Sequence, residues 1–345
     1  MNQYQQFRQR LQAELGVDVS PETAALAEQI RQGDKVTRRQ GDQARTEPAE
    51  AVTERESPVT LSPPHLVTLS SPFIAGPPIT HPAPFFGRER EVKRLFNLLR
   101  QRPLQNAAII GPRRSGKTSL LHYLKNITTA PPAQLRPGQQ HDWLPQPQTY
   151  RWIFVDFQDP RLGDRSGLLR YLLTQMELPA PDPCDLEQFL DIVSDGLTRP
   201  TVILFDEIGV ALERYPQLDD AFWESLRFLA TNQVQGNLAF ILSSPEPPDR
   251  LAQHSGLGSP FFNIFGYAAT LGPLQEAEAR TLIASSPIPF APADVEWILQ
   301  ESGRWPFLLQ ILCRERLLAL EEGERGDDWK EDGRLQIAPF VMRDA

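Results

Sequence analysis

The chain has 345 residues, which is more than one ordinary domain and fewer than three. Hydrophobic residues make up 40% of it and aromatic residues 9%, as in a globular protein, while its 33 prolines predict that part of the chain is a linker. The net charge of −9 and the pI near 5.2 argue against a surface that coats nucleic acid, because phosphate binding requires clustered Lys and Arg.

Two features indicate the compartment. Cys184 and Cys313 are the only cysteines and lack the spacing of metal ligands, so they predict free thiols in a reducing cytoplasm. No apolar run has the length of a membrane helix, and the N-terminal region contains no signal-peptide pattern. We therefore expect a cytoplasmic protein that does not contact membranes.

Residues 1–33 predict two short helices separated around Val17–Pro21. The sequence ELGVDVSPET, which begins at Glu14, and the sequence QIRQG, which ends at Gly33, resemble the closing helices of the bacterial transcriptional activator domain. The match covers only the end of that domain, so we expect the complete domain to be absent. Residues 34–84 lose this periodicity and become rich in charged residues and proline, which predicts a flexible linker.

Short apolar runs and amphipathic stretches then alternate from Phe85 to Pro273, as in a parallel sheet with helices on both faces. Strands are predicted at Asn106–Ile110, Tyr150–Asp156, Thr201–Asp206, Asn237–Ser243 and within Ile264–Leu271. Helices are predicted at Glu91–Arg102, Gly116–Asn126, Gly167–Glu177, Asp185–Leu197 and Asp219–Asn232.

The strands stop after Pro273, and three helical patterns follow at Gln275–Ser285, Pro292–Glu301 and Pro306–Glu322. We therefore predict an α/β domain over residues 85–273, an all-α lid over 274–323 and a C-terminal tail over 324–345. The expected fold class is α/β, with a helix-covered parallel sheet followed by the lid.

The sequence GPRRSGKT at Gly111–Thr118 fits the phosphate-loop pattern and lies between a predicted strand and a predicted helix. Glycines allow the backbone to approach phosphates, and the N–H groups at a helix N-terminus attract their charge. Lys117 is expected to reach the β- and γ-phosphates and Thr118 to ligate Mg²⁺. The predicted nucleotide contacts are Gly111, Pro112, Arg113, Arg114, Ser115, Gly116, Lys117, Thr118 and Ser119.

Two adjacent carboxylates, Asp206 and Glu207, end the apolar run VILF. Asp206 is expected to hold Mg²⁺ and Glu207 to act as the general base that polarises the attacking water. The next strand, LAFIL, ends in Ser243 and Ser244 and should lie beside the carboxylate strand. We expect Ser243 to sense the γ-phosphate or to position water, although an ordinary polar turn is the alternative.

Three further motifs resemble AAA+ proteins of the archaeal-ATPase, origin-recognition-like and STAND groups. They are FFGRERE from Phe85, LGPLQEAEAR from Leu271 and GRWPFLLQ from Gly303. The resemblance implies a P-loop NTPase fold of the ASCE/AAA+ kind, with ATP or ADP and Mg²⁺ as ligands. It also implies that Gly87 and Arg88 lie at the base end of the site and that Pro306 lies in the lid near the nucleotide. Arg250 is the one candidate for an arginine finger and Arg304 for a lid sensor, and the alternative for each is a solvated charge.

Three functions are compatible with these motifs. The first is a regulatory ATPase switch, slow in turnover, whose ATP state controls binding of a protein partner or self-assembly in signalling, defence or transcription. The second is an oligomeric AAA+ ATPase that acts on DNA, such as a transposition or replication loader, which the acidic net charge does not support. The third is a scaffold that binds ATP without hydrolysis, against which the intact Glu207 argues.

Overall fold

The computed structural model describes residues 71–341 of the chain, except residues 163, 255, 257–259 and 325. The chain divides into two compact units, Met1–Val67 and Thr68–Ala345, and everything described below belongs to the second unit. The predictions for residues 1–33 and for the linker up to residue 70 lie outside the described residues.

Within the described residues, five parallel strands form one sheet in the order β2-β3-β4-β1-β5. Every residue of β1, β3 and β4 is buried, because central strands are covered on both faces, whereas the edge strands β2 and β5 are partly exposed. The strands are β1 Ala107–Ile110, β2 Arg151–Asp156, β3 Thr201–Asp206, β4 Leu238–Ser244 and β5 Tyr267–Thr270.

Helices cover both faces of this sheet. One face packs against α1 and α2, and the other face packs against the five helices α3 to α7. These helices are α1 Glu89–Leu99, α2 Lys117–Ile127, α3 Arg165–Gln175, α4 Leu186–Gly196, α5 Ile208–Arg214, α6 Asp220–Asn232 and α7 Pro248–His254.

Aspartates fix the starts of three of these helices. The side chains of Asp164, Asp185 and Asp219 accept hydrogen bonds from backbone N–H groups in the first turns of α3, α4 and α6. Each such cap contributes about 1 kcal/mol to helix stability, because it satisfies an N–H group that has no partner inside the helix.

In the described part of the chain after β5, four helices form the lid around a separate apolar core. They are α8 Glu276–Ile283, α9 Pro292–Glu301, α10 Pro306–Glu321 and α11 Asp328–Val341. Within this core, Asp294 forms an ion pair of 2.9 Å with Arg316, and both residues are buried.

The predicted fold class is confirmed, with a parallel sheet, helices on both faces and a helical region after it. The structure differs from the prediction in two segments, the predicted C-terminal tail and the end of the predicted linker. The tail contains α11, which packs on α10 through Gly333 and Trp329. Residues 71–84, part of the predicted linker, pack against the folded unit, and Phe73 is buried in the lid core.

Candidate active site

The loop after β1 is shaped by two residues with positive φ. Arg114 has φ 66°, and Gly116, at the start of α2, has φ 94° with nothing within 4 Å of the position that a Cβ would occupy. At Gly111 a Cβ would lie 2.7 Å from Ser115 Oγ and 2.9 Å from Leu271 O, so only glycine fits the base of the loop. The loop therefore turns tightly and leaves the N-terminus of α2 open to a ligand.

Lys117 is the first residue of α2, and its side chain lies inside the loop. The ammonium Nζ donates hydrogen bonds to Gly111 O at 2.8 Å and to Pro112 O at 3.0 Å. The side chain is only 6% exposed, and its burial lowers the pKa of Lys117, while the nearby carboxylates of Glu207 and Asp206 act in the opposite direction. Two loop carbonyls thus hold the positive charge beside the open N-terminus of α2.

The carboxylate pair and Ser243 form one hydrogen-bonded group at the ends of β3 and β4. Ser243 Oγ donates to Asp206 Oδ1 at 2.5 Å and accepts from Glu207 N at 3.1 Å. The two strands pair next to each other, as predicted, with Phe205 opposite Leu242. Ser243 is fully buried, so its hydroxyl orients the acidic pair from the protein interior.

Glu207 differs from Asp206 in backbone and in electrostatics. It has φ 53° and ψ 48°, a left-handed conformation that turns the chain from β3 into α5. Burial raises the pKa of Glu207, and the neighbouring charge of Asp206 adds to this increase. A carboxylate with a raised pKa accepts a proton more readily, which suits a general base.

These groups share one cavity of about 500 Å³ between the sheet and the lid. Lys117 and Asp206 face this same cavity, and Pro306 of the lid lies in its wall. Of the predicted site residues, the cavity lining includes Arg113, Arg114, Gly116, Lys117, Thr118, Ser119, Asp206, Glu207 and Pro306.

The sequence reasoning missed part of this wall. Asp156 and Gln158 follow β2 and face the cavity, and Asp156 pairs in register with Asp206. The sequence signal that could have predicted Asp156 was a polar side chain at the end of β2, the strand next to β3. The other wall residues that the sequence did not predict are Phe307 and Gln310 of α10, together with Ile74, Gly76, Pro77, Pro78 and Ile79 of the proline-rich segment before α1.

Gly87 and Arg88, predicted at the base end, are not among the described residues that line the cavity. Arg88 is buried, and its Nη2 donates to Ser115 O at 3.2 Å and to Gly272 O at 2.5 Å. A Cβ at Gly87 would lie 2.9 Å from Leu274 Cδ2, so the glycine allows close packing against the segment that leads into the lid. Arg88 thus connects the phosphate loop to the β5–lid junction, while Gly87 packs against the start of the lid.

Arg250 and Arg304 also lie outside the cavity wall, as far as the described residues define it. Arg250 is exposed on α7. Arg304 has φ 63°, and its carbonyl accepts a hydrogen bond of 2.9 Å from Leu274 N, which joins the start of the lid to the turn between α9 and α10.

Residues 84–241 match the sequence profile of the family described as the AAA ATPase domain. This part of the chain is similar to AAA ATPase domains. It contains the phosphate loop, both carboxylates and four of the five strands, and the matched region ends inside β4.

Solved structures that are similar to this chain agree on the fold. A Walker-type ATPase of Pyrococcus abyssi is similar with TM-score 0.53 and 16% identity over 77% of this chain and 76% of that protein. The ORC2 protein of Aeropyrum pernix, solved in ADPNP and ADP complexes, is similar with TM-score 0.50 and 14% identity over 72% and 67% of the two chains. No curated protein matches the sequence.

Two kinds of feature are absent from the described residues. No helix among them is long and apolar enough to cross a membrane. Nor do they contain a group of three or more His, Cys, Asp or Glu side chains placed to hold a metal ion. Mg²⁺ needs no such group, because it is commonly held by one or two protein carboxylates together with substrate phosphates.

Proposed function

We propose that this protein binds ATP with Mg²⁺ in the cavity between sheet and lid, hydrolyses it slowly, and works as a regulatory switch of the STAND/AAA+ kind. One observation carries the proposal. Lys117, Thr118, Asp206 and Glu207 line the same cavity as Pro306, so a ligand held by the catalytic groups also touches the lid.

The residues present fit a magnesium triphosphate. The open N-terminus of α2 and the Lys117 ammonium supply positive charge for the phosphates, and Gly116 leaves the approach free of side-chain atoms. The Thr118 hydroxyl and the Asp206 carboxylate would hold Mg²⁺ together with phosphate oxygens and water. When bound, the metal neutralises charge that develops on the transferred phosphoryl group.

Hydrolysis requires a base that can take the proton from the attacking water. The oxygen of that water bonds to the γ-phosphorus, the bond from phosphorus to the ADP oxygen breaks, and Glu207 receives the proton. Burial and the neighbouring Asp206 raise the pKa of Glu207, which favours this transfer. Ser243 keeps the acidic pair in place through its bonds to Asp206 Oδ1 and Glu207 N.

Direct contacts between the loop and the lid support the switch. The Arg114 guanidinium lies 4.3 Å from the ring centre of Phe307 in α10 and 3.7 Å from that of Phe340 in α11. Arg88 bonds the loop to Gly272 at the start of the β5–lid junction. A change at the phosphates therefore has two short routes to the lid, whose position in the ATP state would control binding of a protein partner or of a second copy.

The experiment that tests the site pairs Lys117→Ala with Lys125→Ala, a lysine two turns further along α2. Lys117→Ala should lower ATP affinity at least about a hundredfold, since it removes a charged donor from the phosphates. Lys125→Ala should bind ATP like the parent protein, and circular dichroism should show that both variants are folded. Equal ATP affinity in the parent and in Lys117→Ala would contradict the assigned cradle.

Hydrolysis and switching need separate measurements. Glu207→Gln should bind ATP but lose turnover about a hundredfold or more, whereas Glu213→Gln, exposed on α5, should retain it. Sedimentation with ADP and with a non-hydrolysable ATP analogue should give different mass or shape. Identical behaviour in both nucleotides would remove the switch, and a change that appears only when duplex DNA is added would favour the DNA-acting alternative.

A further inference from the structure

The strap, residues Phe73–Thr80, crosses from the lid to the α/β domain along the cavity. At one end Phe73 is 4% exposed in the lid core, with its ring centre 6.1 Å from that of Phe290. At the other end Ile79 N donates to Ser119 Oγ at 3.0 Å, and Thr80 O accepts a bond of 2.8 Å from the side chain of Asn126. The strap therefore connects the lid core with α2.

Gln310 connects this strap with α10. It lies one turn after Pro306, is 4% exposed and forms part of the cavity wall. Its Oε1 accepts a hydrogen bond of 3.0 Å from Ile74 N. Because a backbone N–H can only donate, the amide oxygen must face Ile74, and this fixes the orientation of the side-chain amide.

That orientation leaves the Nε2 amino group of Gln310 for another partner. Within the described part of the chain this amino group makes no hydrogen bond, and it is not among the buried polar atoms that lack one. It belongs to a residue of the cavity wall, so a bound molecule that carries an acceptor atom can receive its two N–H groups.

The two parts of the cavity wall differ in chemistry. The loop part carries Lys117 and the open helix N-terminus, which attract phosphates. The strap part carries Gly76, Pro77 and Pro78, together with Pro306 from the lid. Proline rings are apolar and rigid and donate no backbone hydrogen bond, so this part of the wall suits the flat face of a nucleoside.

We propose that Gln310 binds the nucleoside end of the nucleotide through its Nε2 amino group, and that the strap forms the wall against which the nucleoside packs. This inference rests on the proposed function and adds the residue that reads the non-phosphate part of the ligand. Because Oε1 of the same amide holds Ile74, a bound nucleoside also fixes the strap to α10.

The test compares ATP with inorganic tripolyphosphate, which carries the charge of the nucleotide without its nucleoside. Gln310→Met removes both hydrogen bonds of the amide, and Gln310→Glu keeps an acceptor for Ile74 but removes the donor. In each variant the ratio of ATP affinity to tripolyphosphate affinity should fall about tenfold, the effect of one lost hydrogen bond. Gln300→Met, exposed on α9, is the matched control and should keep the parent ratio.

The outcomes separate this inference from the proposed function. If the parent protein binds neither ATP nor tripolyphosphate, both proposals fail. If the parent binds both but the Gln310 variants keep its ratio, the nucleotide site stands and the role of Gln310 is wrong. Should Gln310→Met not fold, Gln310→Glu alone decides the ratio. Dideoxy-ATP, which lacks both ribose hydroxyls, then locates the contact. If the Gln310 variants also bind dideoxy-ATP more weakly than the parent does, the contact is on the base. If the parent and the variants bind it equally, the contact is on the sugar.

Discussion

The Cζ atom of Arg114 lies 3.7 Å from the ring centre of Phe340, so a residue of the phosphate loop stacks on the last helix of the lid. Phe340 also meets Phe307 edge to face, with ring centres 5.0 Å apart. The guanidinium thus contacts an aromatic pair contributed by two lid helices. This contact joins the nucleotide site to α11, in a part of the chain where the sequence predicted only a tail.

We predict that Arg114→Ala and Phe340→Ala each lower the free energy of unfolding by about 1–2 kcal/mol, because each removes a cation–π contact and Phe340→Ala also removes an aromatic pair. Urea unfolding of the single and double variants should give a coupling of about 0.5–1 kcal/mol. Phe228→Ala, 42% exposed on α6, controls for the loss of a surface phenylalanine. Strictly additive effects would mean that the stacking contributes nothing.

Ser243→Ala should impair both stability and turnover. It leaves Asp206 Oδ1 and Glu207 N without their partner, which costs about 1–3 kcal/mol, and it frees the acidic pair to move. Ser244→Ala is the matched control, because Ser244 is equally buried but its hydroxyl donates to the carbonyl of Glu246. Chemical denaturation should show a lower free energy of unfolding in both variants, whereas ATP turnover should fall only in Ser243→Ala. A parent-like turnover in Ser243→Ala would assign the serine to stability alone.

The raised pKa of Glu207 predicts a dependence of stability on pH. Burial makes the folded state hold the Glu207 proton more tightly than the unfolded state does. The resulting contribution to the free energy of unfolding is present below the unfolded-state pKa of Glu207 and is lost as the pH rises through its higher folded-state pKa. Glu207→Gln, which is always neutral, should therefore be more stable than the parent near neutral pH, and this gain should disappear in acid.

Urea unfolding across this pH range measures the effect, with Glu213→Gln as the control for the general loss of one negative charge. A stability gain of Glu207→Gln that is the same at every pH would contradict the raised pKa. Turnover of the parent gives an independent check, because a general base must be deprotonated. The acidic limb of its pH profile should lie above the ordinary range of glutamate.

Arg88→Lys should loosen the phosphate loop. A lysine has a single ammonium on a flexible stem and cannot reproduce a planar guanidinium held against both Ser115 O and Gly272 O. We expect the free energy of unfolding to fall by about 1–3 kcal/mol, together with ATP affinity, because a buried carbonyl loses its donor. Arg90→Lys, exposed in the first turn of α1, should change neither quantity in the same unfolding and binding measurements.

Local patterns were sufficient for the sheet and for the centre of the site. Each predicted strand overlaps an observed strand, because runs such as VILF are buried on both faces and leave no ambiguity with an exposed element. Lys117 and Asp206 were brought to one cavity by a strand–loop–helix turn and by the order of neighbouring strands. Both constraints act over short stretches of sequence.

The missed features depend on tertiary contacts. Residues 71–84 have the composition of a linker, and tertiary contacts order them, among them the packing of Phe73 and the hydrogen bonds of Ile74 and Ile79. Helix α11 contains Gly333 and Pro339, which weaken a helical pattern, and its close approach to Leu312 requires that glycine. The position of Arg88 beneath the loop was likewise not visible, because an arginine near a phosphate loop equally suits a direct ligand contact.

The burial of Phe73 among lid side chains has a consequence for how the protein can be divided. A lid connected to the α/β domain only after β5 could rotate about that single connection. This lid has a second connection, because the strap packs in the lid core at Phe73 before the chain enters the sheet. Deleting everything after Pro273 would strip the partners from Phe73 and leave an aromatic ring in water. A truncated protein that contains only the α/β domain must therefore lack the residues before Phe85 as well as those after β5.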